Sequence, residues 1–512
     1  MKSIRLLSAF LTVGGWTLAS RVLGFVRDIL IAAYLGAGPV AEAFLIAFSL
    51  PNMFRRFFAE GAFNTAFVPM FSKKLEQDRD ALTFARDAFS GLGGVLIVFT
   101  LLSQLAMPGL VMLMASGFAG DERFDMAVDM GRIVFPYILF ISLAALLSGV
   151  LNAMGRFAAA AAAPVVLNII LIAAVLIGAS IGADIGMALA WGVPLAGIAQ
   201  MGLIWIAASR AGFRIVPRRP RLTPELRRLA VIALPAALAG GVMQVNLLVG
   251  RQVASFFEGA VAYLNYADRL YQLPLGVVGI AIGVVLLPDL SRRLGAGDAA
   301  GGRDAVNRAA EFSLALAVPA AIALIVVPLP LVAVLFQRGA FEFRDAALTA
   351  QAVAAYGWGL PAFVLIKVIS PVFFAREDTV TPFRFAVVSM VVNVVVAVAA
   401  APWLGFLAAA WGTTLAAWVN FALLWRASRS FGDAVKLDQR LVRAAPRILL
   451  SAAVMGVLLA GLVQALGWVI DLPGWRYPAL FGLVTLGAVS YGALALATKA
   501  VTLSGLRKVV RR

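Results

Sequence analysis

Apolar stretches of about twenty residues or more follow one another along this 512-residue chain, separated by short polar breaks. A helix of that length spans the roughly 30 Å hydrocarbon core of a bilayer. The stretches lie near 6–34, 41–70, 86–115, 128–151, 158–180, 185–208, 226–257, 260–290, 309–336, 346–374, 380–401, 404–427, 446–468 and 475–500. They raise the apolar share to 62%, far above the roughly 45–50% of soluble domains, and leave only 13% charged. Hydrocarbon satisfies no backbone donor or acceptor, so each crossing must be a helix or part of a closed barrel. Runs this long favour helices, and the expected fold class is an all-α integral membrane protein of about fourteen transmembrane helices.

The net charge of +17 invites a nucleic-acid reading, but the placement of the basic residues argues against it. With Lys2 and Arg5 on the inside, 31 of the 43 Lys and Arg residues fall in alternate, inner segments. The outer loops hold Arg123, Arg338, Arg344 and Arg476. That asymmetry is the positive-inside pattern of an inner-membrane protein with both termini cytoplasmic. The opening MKSIRLLSAFLTVGGWTLAS has the basic, apolar and small-residue order of a signal peptide. Apolar sequence resumes at once through Val22 to Tyr34, so the better reading is one long uncleaved first helix, with Gly14-Gly15 and Gly24 as candidate breaks.

An internal repeat is visible by eye. Residues 41–75 superpose without gaps on 260–294, matching Ala41 with Ala260, Leu45 with Leu264, Pro69 with Pro288 and Ser72-Lys73-Lys74-Leu75 with Ser291-Arg292-Arg293-Leu294. Pro136 and Asn168 recur as Pro361 and Asn393. Both copies enter from the same side, which implies two parallel six-helix lobes; such architectures place substrate between the halves. The expected domains are 1–215, 216–435, and a remainder, 436–512, holding two additional helices and a basic tail.

The chain has no Cys and no His, which removes disulfides, thiolate chemistry and the commonest general base and metal ligand. No cofactor and no metal site are expected. Eight basic residues nevertheless fall inside the predicted spans: Arg21, Arg27, Arg55, Arg56, Arg132, Arg251, Arg269 and Lys367. Each costs about 2.5–3.5 kcal/mol at a helix centre, so several together need compensation. Arg132 and Arg251 lie near span ends, where they can snorkel. Arg56 stands at i,i+4 from Glu60 and can pair with it. Arg21, Arg27, Arg55 and Arg269 lie deeper and are the candidates for a water-filled cationic cavity. Asp28 adjoins Arg27 and Asp268 adjoins Arg269, but neighbouring side chains point about 100° apart on a helix, so surplus positive charge is expected. A guanidinium binds phosphate oxygens bidentately and stays protonated in a poor dielectric. Apolar walls then suit a lipid tail, giving a ligand with an anionic head.

The segments SRVLGFVRD (20–28), LPNMFRRFFAEGAFNTAFVP (50–69), YADRL (266–270) and GVVLLPDLSRRL (283–294) resemble the MurJ proteins, the MviN-type lipid II flippases of the multidrug/oligosaccharidyl-lipid/polysaccharide exporter superfamily. The resemblance covers essentially the whole chain, the two added C-terminal spans included. It implies a transporter rather than an enzyme, acting on lipid II in peptidoglycan biosynthesis, with the surrounding membrane lipid and the cell-wall synthesis machinery as its partners. It also implies that Arg27, Arg55 and Arg269 contact the substrate diphosphate and that Arg21 lines the cavity. Ser20, Asp28, Glu42, Asn52, Glu60 and Lys367 match positions of importance in the family, although caps and ion pairs use the same residue types. One departure is Gln272, where many relatives carry an acid. Gln244, Asn246, Asp378 and Asn393 are candidates for cation coupling; membrane potential is the other candidate energy source. A flippase for another polyprenyl-linked oligosaccharide and a multidrug exporter of the same superfamily are the alternatives. An intramembrane polyprenyl-diphosphate enzyme is more remote, because it needs a nucleophile or metal site.

Overall fold

Among the described residues the protein is built from helices, and their ends follow the apolar runs. The computed structural model describes residues 2–55, 58, 62–77, 80–472 and 474–500. The expected pair Arg56 and Glu60 lies outside the described residues. The first helices are α1 (Lys2–Leu35), α2 (Pro39–Arg55), α3 (Ala62–Glu76), α4 (Ala81–Leu105), α5 (Met107–Met114), α6 (Glu122–Val134), α7 (Tyr137–Ala153), α8 (Ala158–Ser180), α9 (Ile185–Arg210) and α10 (Pro224–Ser255). They are followed by α11 (Ala260–Gly295), α12 (Ala299–Val326), α13 (Pro328–Phe336), α14 (Phe343–Phe374), α15 (Val380–Leu404), α16 (Leu407–Ser428), α17 (Gln439–Leu466) and α18 (Arg476–Ala497).

Ten helical segments among the described residues are by themselves long and apolar enough to cross a membrane. Their outward side chains confirm the solvent: Val457, Phe481 and Trp403 are 73%, 75% and 82% exposed, which suits lipid and not water. This is a multi-pass membrane protein. The expectation of a break in the first span is corrected, because α1 runs uninterrupted from Lys2 to Leu35. Gly24 faces Asn168, and a Cβ there would stand at ordinary contact distance, 3.5 Å, from its amide.

The repeat extends well beyond the segments that reveal it in sequence. The pair α4–α5 runs from Ala81 to Met114 and α12–α13 from Ala299 to Phe336, and the breaks at Ala106 and Val327 fall at equivalent places. Each second piece starts with a proline in its first turn, Pro108 or Pro328, where no backbone donor is needed. The 32-residue segments Glu122–Ala153 and Phe343–Phe374 correspond in the same way. The first is divided at Pro136 into α6 and α7, whereas α14 carries Pro361 without a break.

The chain divides into two compact units, Met1–Ala262 with Arg338–Phe341, and Tyr263–Gln337 with Glu342–Arg512. The boundary thus falls later than the repeat alone suggests. The reason lies in α10, which is tied to the first unit at both ends: Lys74 pairs with Glu225 at 2.6 Å, and the Gly117 amide donates to Ser255 Oγ at 3.0 Å. A Cβ on Gly117 would lie 2.5 Å from the backbone of Ser255 and Phe256. Gly117→Ala is therefore expected to cost about 1–3 kcal/mol through overpacking, read as a lower midpoint in thermal unfolding of the detergent-solubilised protein.

In the second unit, α17 and α18 pack on α12 rather than forming a body of their own. Ala315, Ala444, Ile448 and Ala495 make one buried cluster, and Tyr491 donates to the Ala315 carbonyl at 2.7 Å. At the basic end, Arg308 bonds Glu311 and Asp438, and Arg440 donates to Glu311 at 2.8 Å. Asn307 closes the joint by accepting from the Asp438 amide at 3.0 Å and donating to the Lys436 carbonyl at 2.9 Å.

Candidate functional site

In the first unit the candidate site is organised around Arg27, which α1 carries into a polar pocket between apolar helices. Arg27 is 7% exposed, and its guanidinium lies 5.8 Å from the centre of the Phe48 ring. Its Nε and Nη2 both donate to Asp28 Oδ1, at 2.9 and 2.7 Å, and Nη1 donates to Asn168 Oδ1 at 3.0 Å. This corrects the expectation that adjacent residues would diverge: the long arginine side chain curls back to reach its neighbour. Asn168, on α8, also donates to the Ser20 carbonyl at 2.9 Å, so Ser20, Arg27, Asp28 and Asn168 form one network. Arg21 lies on α1 seven residues before Asp28, on the same helical face, and is exposed.

Arg55 ends α2 and is half-buried. It donates to the hydroxyl of Tyr137, which in turn donates to Gln200 Oε1 at 3.0 Å. Gln200 Nε2 donates to the Ala163 carbonyl at 2.7 Å. Tyr137 also lies within the electrostatic reach of Arg27, so the two guanidinium groups share one neighbourhood. Gly197 makes room for the tyrosine, since a Cβ there would stand 2.8 Å from its ring. Asn52 donates to the Phe48 carbonyl of its own helix at 2.8 Å.

Sequence reasoning missed Asn168 and Tyr137 as partners of the arginines, and Gln200 as the residue that holds Tyr137. The available signal was a single amide at 168 inside an otherwise aliphatic run, which a buried span tolerates only if it is hydrogen-bonded. Asn168→Ala removes the buried hydrogen bond from the charged Arg27 and the part-buried one to the Ser20 carbonyl, and is expected to cost about 1.5–3 kcal/mol. Thermal unfolding of the purified variant checks this.

Glu42 lies elsewhere, in the first turn of α2. It is wholly buried and pairs with Arg123, whose Nη1 donates to Oε2 at 2.9 Å. Its other oxygen accepts from the Val261 amide at 3.0 Å. Arg123, expected in an outer loop, is 6% exposed, donates to Asp121 Oδ2 at 2.7 Å and stacks on Phe118 at 4.4 Å. The Arg123 amide and then its side chain hold the Asp121 carboxyl below its usual range. Arg132 is exposed and pairs loosely with Asp129 at 3.9 Å.

In the second unit, Asp268 and Arg269 are half-buried on α11. Asp268 accepts from Gln272 one turn on and from the Tyr271 hydroxyl. Tyr271 packs in tilted contact with Tyr356 at 5.0 Å and Phe363 at 5.6 Å between ring centres. Gln272 thus supplies a donor to Asp268 where an acid would repel it. Lys367 is exposed on α14. Of the coupling candidates, Asp378 lies before α15 and caps it by accepting from the Thr381 amide at 2.9 Å, which holds its carboxyl below the usual range. Asn393 is buried, and Gly412 lets it approach to 2.7 Å of where a Cβ would sit. The side chains of Gln244 and Asn246 lie outside the described part.

A multi-pass helical protein with an internal sequence repeat and arginines seated on polar scaffolds among its apolar helices has the features of a membrane transporter. The family described as "Lipid II flippase MurJ" matches residues 31–473, and the chain belongs to it. A "Probable lipid II flippase MurJ" of Rhizobium meliloti (strain 1021) is 46% identical over 99% of this chain and 96% of its own. A "Lipid II flippase MurJ" of Burkholderia cenocepacia is 38% identical over 76% of this chain and 77% of its own. The fold is that of a solved "Lipid II flippase MurJ, inward closed conformation", with a TM-score of 0.79 at 24% identity over 94% of this chain and 97% of the other. It extends to an inward-facing multidrug resistance MATE family transporter of the MOP superfamily, with a TM-score of 0.67 at 16% identity over 80% of this chain and 94% of the other.

Proposed function

We propose that this protein moves lipid II, the undecaprenyl-diphosphate-linked disaccharide-pentapeptide, from the cytoplasmic to the periplasmic face of the bacterial inner membrane by alternating access. The chain crosses fourteen times, with both termini cytoplasmic. Arg21, Arg27 and Arg55 of one lobe and Arg269 of the other receive the diphosphate, and the undecaprenyl tail stays in the bilayer while the head crosses. The function is transport, and no covalent step is involved.

The observation that carries this reading is the seating of Arg27. A guanidinium has five N–H donors, and three are held by Asp28 and Asn168. Two remain for a ligand oxygen, on a group whose orientation is already fixed. Pre-orientation of this kind lowers the entropy lost on binding. Arg55, fixed by Tyr137, is a second cation in the same neighbourhood.

The empty site is cationic, so a membrane potential negative inside draws it back toward the cytoplasm. Each elementary charge that crosses contributes about 2.3 kcal/mol per 100 mV. Purified protein in nanodiscs tests the ligand chemistry: lipid II should bind, undecaprenyl diphosphate less tightly, and uncharged undecaprenol not measurably. Undecaprenol binding as tightly as lipid II would contradict a diphosphate-directed site.

A further inference from the structure

In the second unit, α16 ends in an aromatic stripe that leads to two arginines. Trp418, Phe421, Ala422 and Trp425 recur at i, i+3, i+4 and i+7 and so share one helical face. Together with Arg426 and Arg429 they line a cavity of about 730 Å³. Trp418 meets Phe421 edge-on at 6.2 Å, and Phe421 leans on Trp425 at 6.3 Å. The stripe is anchored at both ends: Trp418 Nε1 donates to the Trp358 carbonyl at 2.9 Å, and Trp425 packs on the buried cluster of Ile369, Phe373 and Leu424. Both arginines are exposed, and among the described residues neither side chain has an ion-pair or hydrogen-bond partner.

At about 1.5 Å of rise per residue, Trp418 lies roughly 16 Å along the axis from Arg429. That is close to half of the roughly 30 Å hydrocarbon thickness. The cavity therefore has the depth of one leaflet, apolar along its length and cationic where the headgroups lie. We propose that it is a binding site for an anionic glycerophospholipid of the leaflet facing the basic loops. The phosphodiester lies between Arg426 and Arg429, and one acyl chain runs past Trp425, over the small Ala422, to Phe421 and Trp418. A free anion would use the arginines and leave the aromatic groove empty. Basic pockets on the cytoplasmic side of membrane proteins hold lipid headgroups by the same attraction. None of these residues belongs to the transport site, so the inference stands apart from that reading.

Vesicles of phosphatidylcholine carrying the full-length protein and either brominated phosphatidylglycerol or brominated phosphatidylcholine test it. Bromine on the acyl chains quenches nearby tryptophans, and the groove component is the difference between the unchanged protein and W418F/W425F. Phosphatidylglycerol should quench that component at a lower mole fraction, by roughly fivefold per arginine. R426Q/R429Q should make the two lipids equivalent, whereas R426K/R429K, which keeps the charge, should retain most of the preference. Millimolar inorganic phosphate should not displace the lipid. Equal quenching by both lipids in the unchanged protein, a preference that survives R426Q/R429Q, or loss of the preference to inorganic phosphate would each overturn the proposal.

Discussion

Arg27→Lys is expected to weaken lipid II binding at least tenfold although the charge is unchanged. The wild-type side chain makes three hydrogen bonds to two acceptors that lie on different helices, Asp28 on α1 and Asn168 on α8. A lysine ammonium is a point charge without the planar fork, so it cannot hold both acceptors and still present two aligned donors to a phosphate. A hydrogen bond to a charged group contributes about 1.5–3 kcal/mol, which is roughly ten- to a hundredfold in affinity for each one lost. Arg27→Ala goes further, because it also breaks a buried ion pair, at a cost of about 3–5 kcal/mol in stability. Titration with lipid II alongside thermal unfolding in the same detergent separates the two effects. An Arg27→Lys protein with unchanged affinity would show that charge alone, and not the seated guanidinium, binds the ligand.

The second large effect is expected at the pair of Glu42 and Arg123 in the first unit and falls on stability. Arg123→Ala should cost about 3–5 kcal/mol, because it leaves the wholly buried Glu42 carboxylate without the guanidinium that neutralises it. Replacing both members should cost less than replacing one, since no lone charge then remains in a poor dielectric. The informative double variant is Glu42→Gln with Arg123→Met, because glutamine keeps an oxygen for the Val261 amide. An apolar residue at position 42 would strand that amide, at about 1–3 kcal/mol. Denaturation of the two single variants and the double variant gives the coupling directly, and strictly additive losses would mean that the pair contributes nothing as a pair.

Much of the fold was legible because a bilayer imposes one rule on every crossing. The run 158–180 coincides with α8, and basic residues cluster at alternate ends of the helices. The breaks at Ala106, Pro136 and Val327 were not legible, since apolar composition continues through them and only a neighbouring proline marks each one. Nor does hydropathy say which helices pack together. The attachment of α10 to the first unit depends on Lys74 with Glu225 and on Gly117 with Ser255, contacts more than 130 residues apart in sequence.

At the candidate site, the arginines stood out because a charge inside an apolar run is costly. Their partners did not. Asn168 lies 141 residues from Arg27, and an uncharged amide leaves little trace in a hydropathy profile. Arg123, expected in an outer loop, is instead buried against Glu42, 81 residues earlier. Pairings of this kind arise from packing between helices, which a single sequence does not encode in any local pattern.

The most direct measurement is the appearance of lipid II at the outer face in cells whose only copy of the protein carries Arg27→Ala, Arg55→Ala or Arg269→Ala, with membrane insertion verified for each. Loss of translocation in each variant, with the protein still in the membrane, is the predicted result. Normal translocation in all three would contradict the claim that these arginines receive the diphosphate.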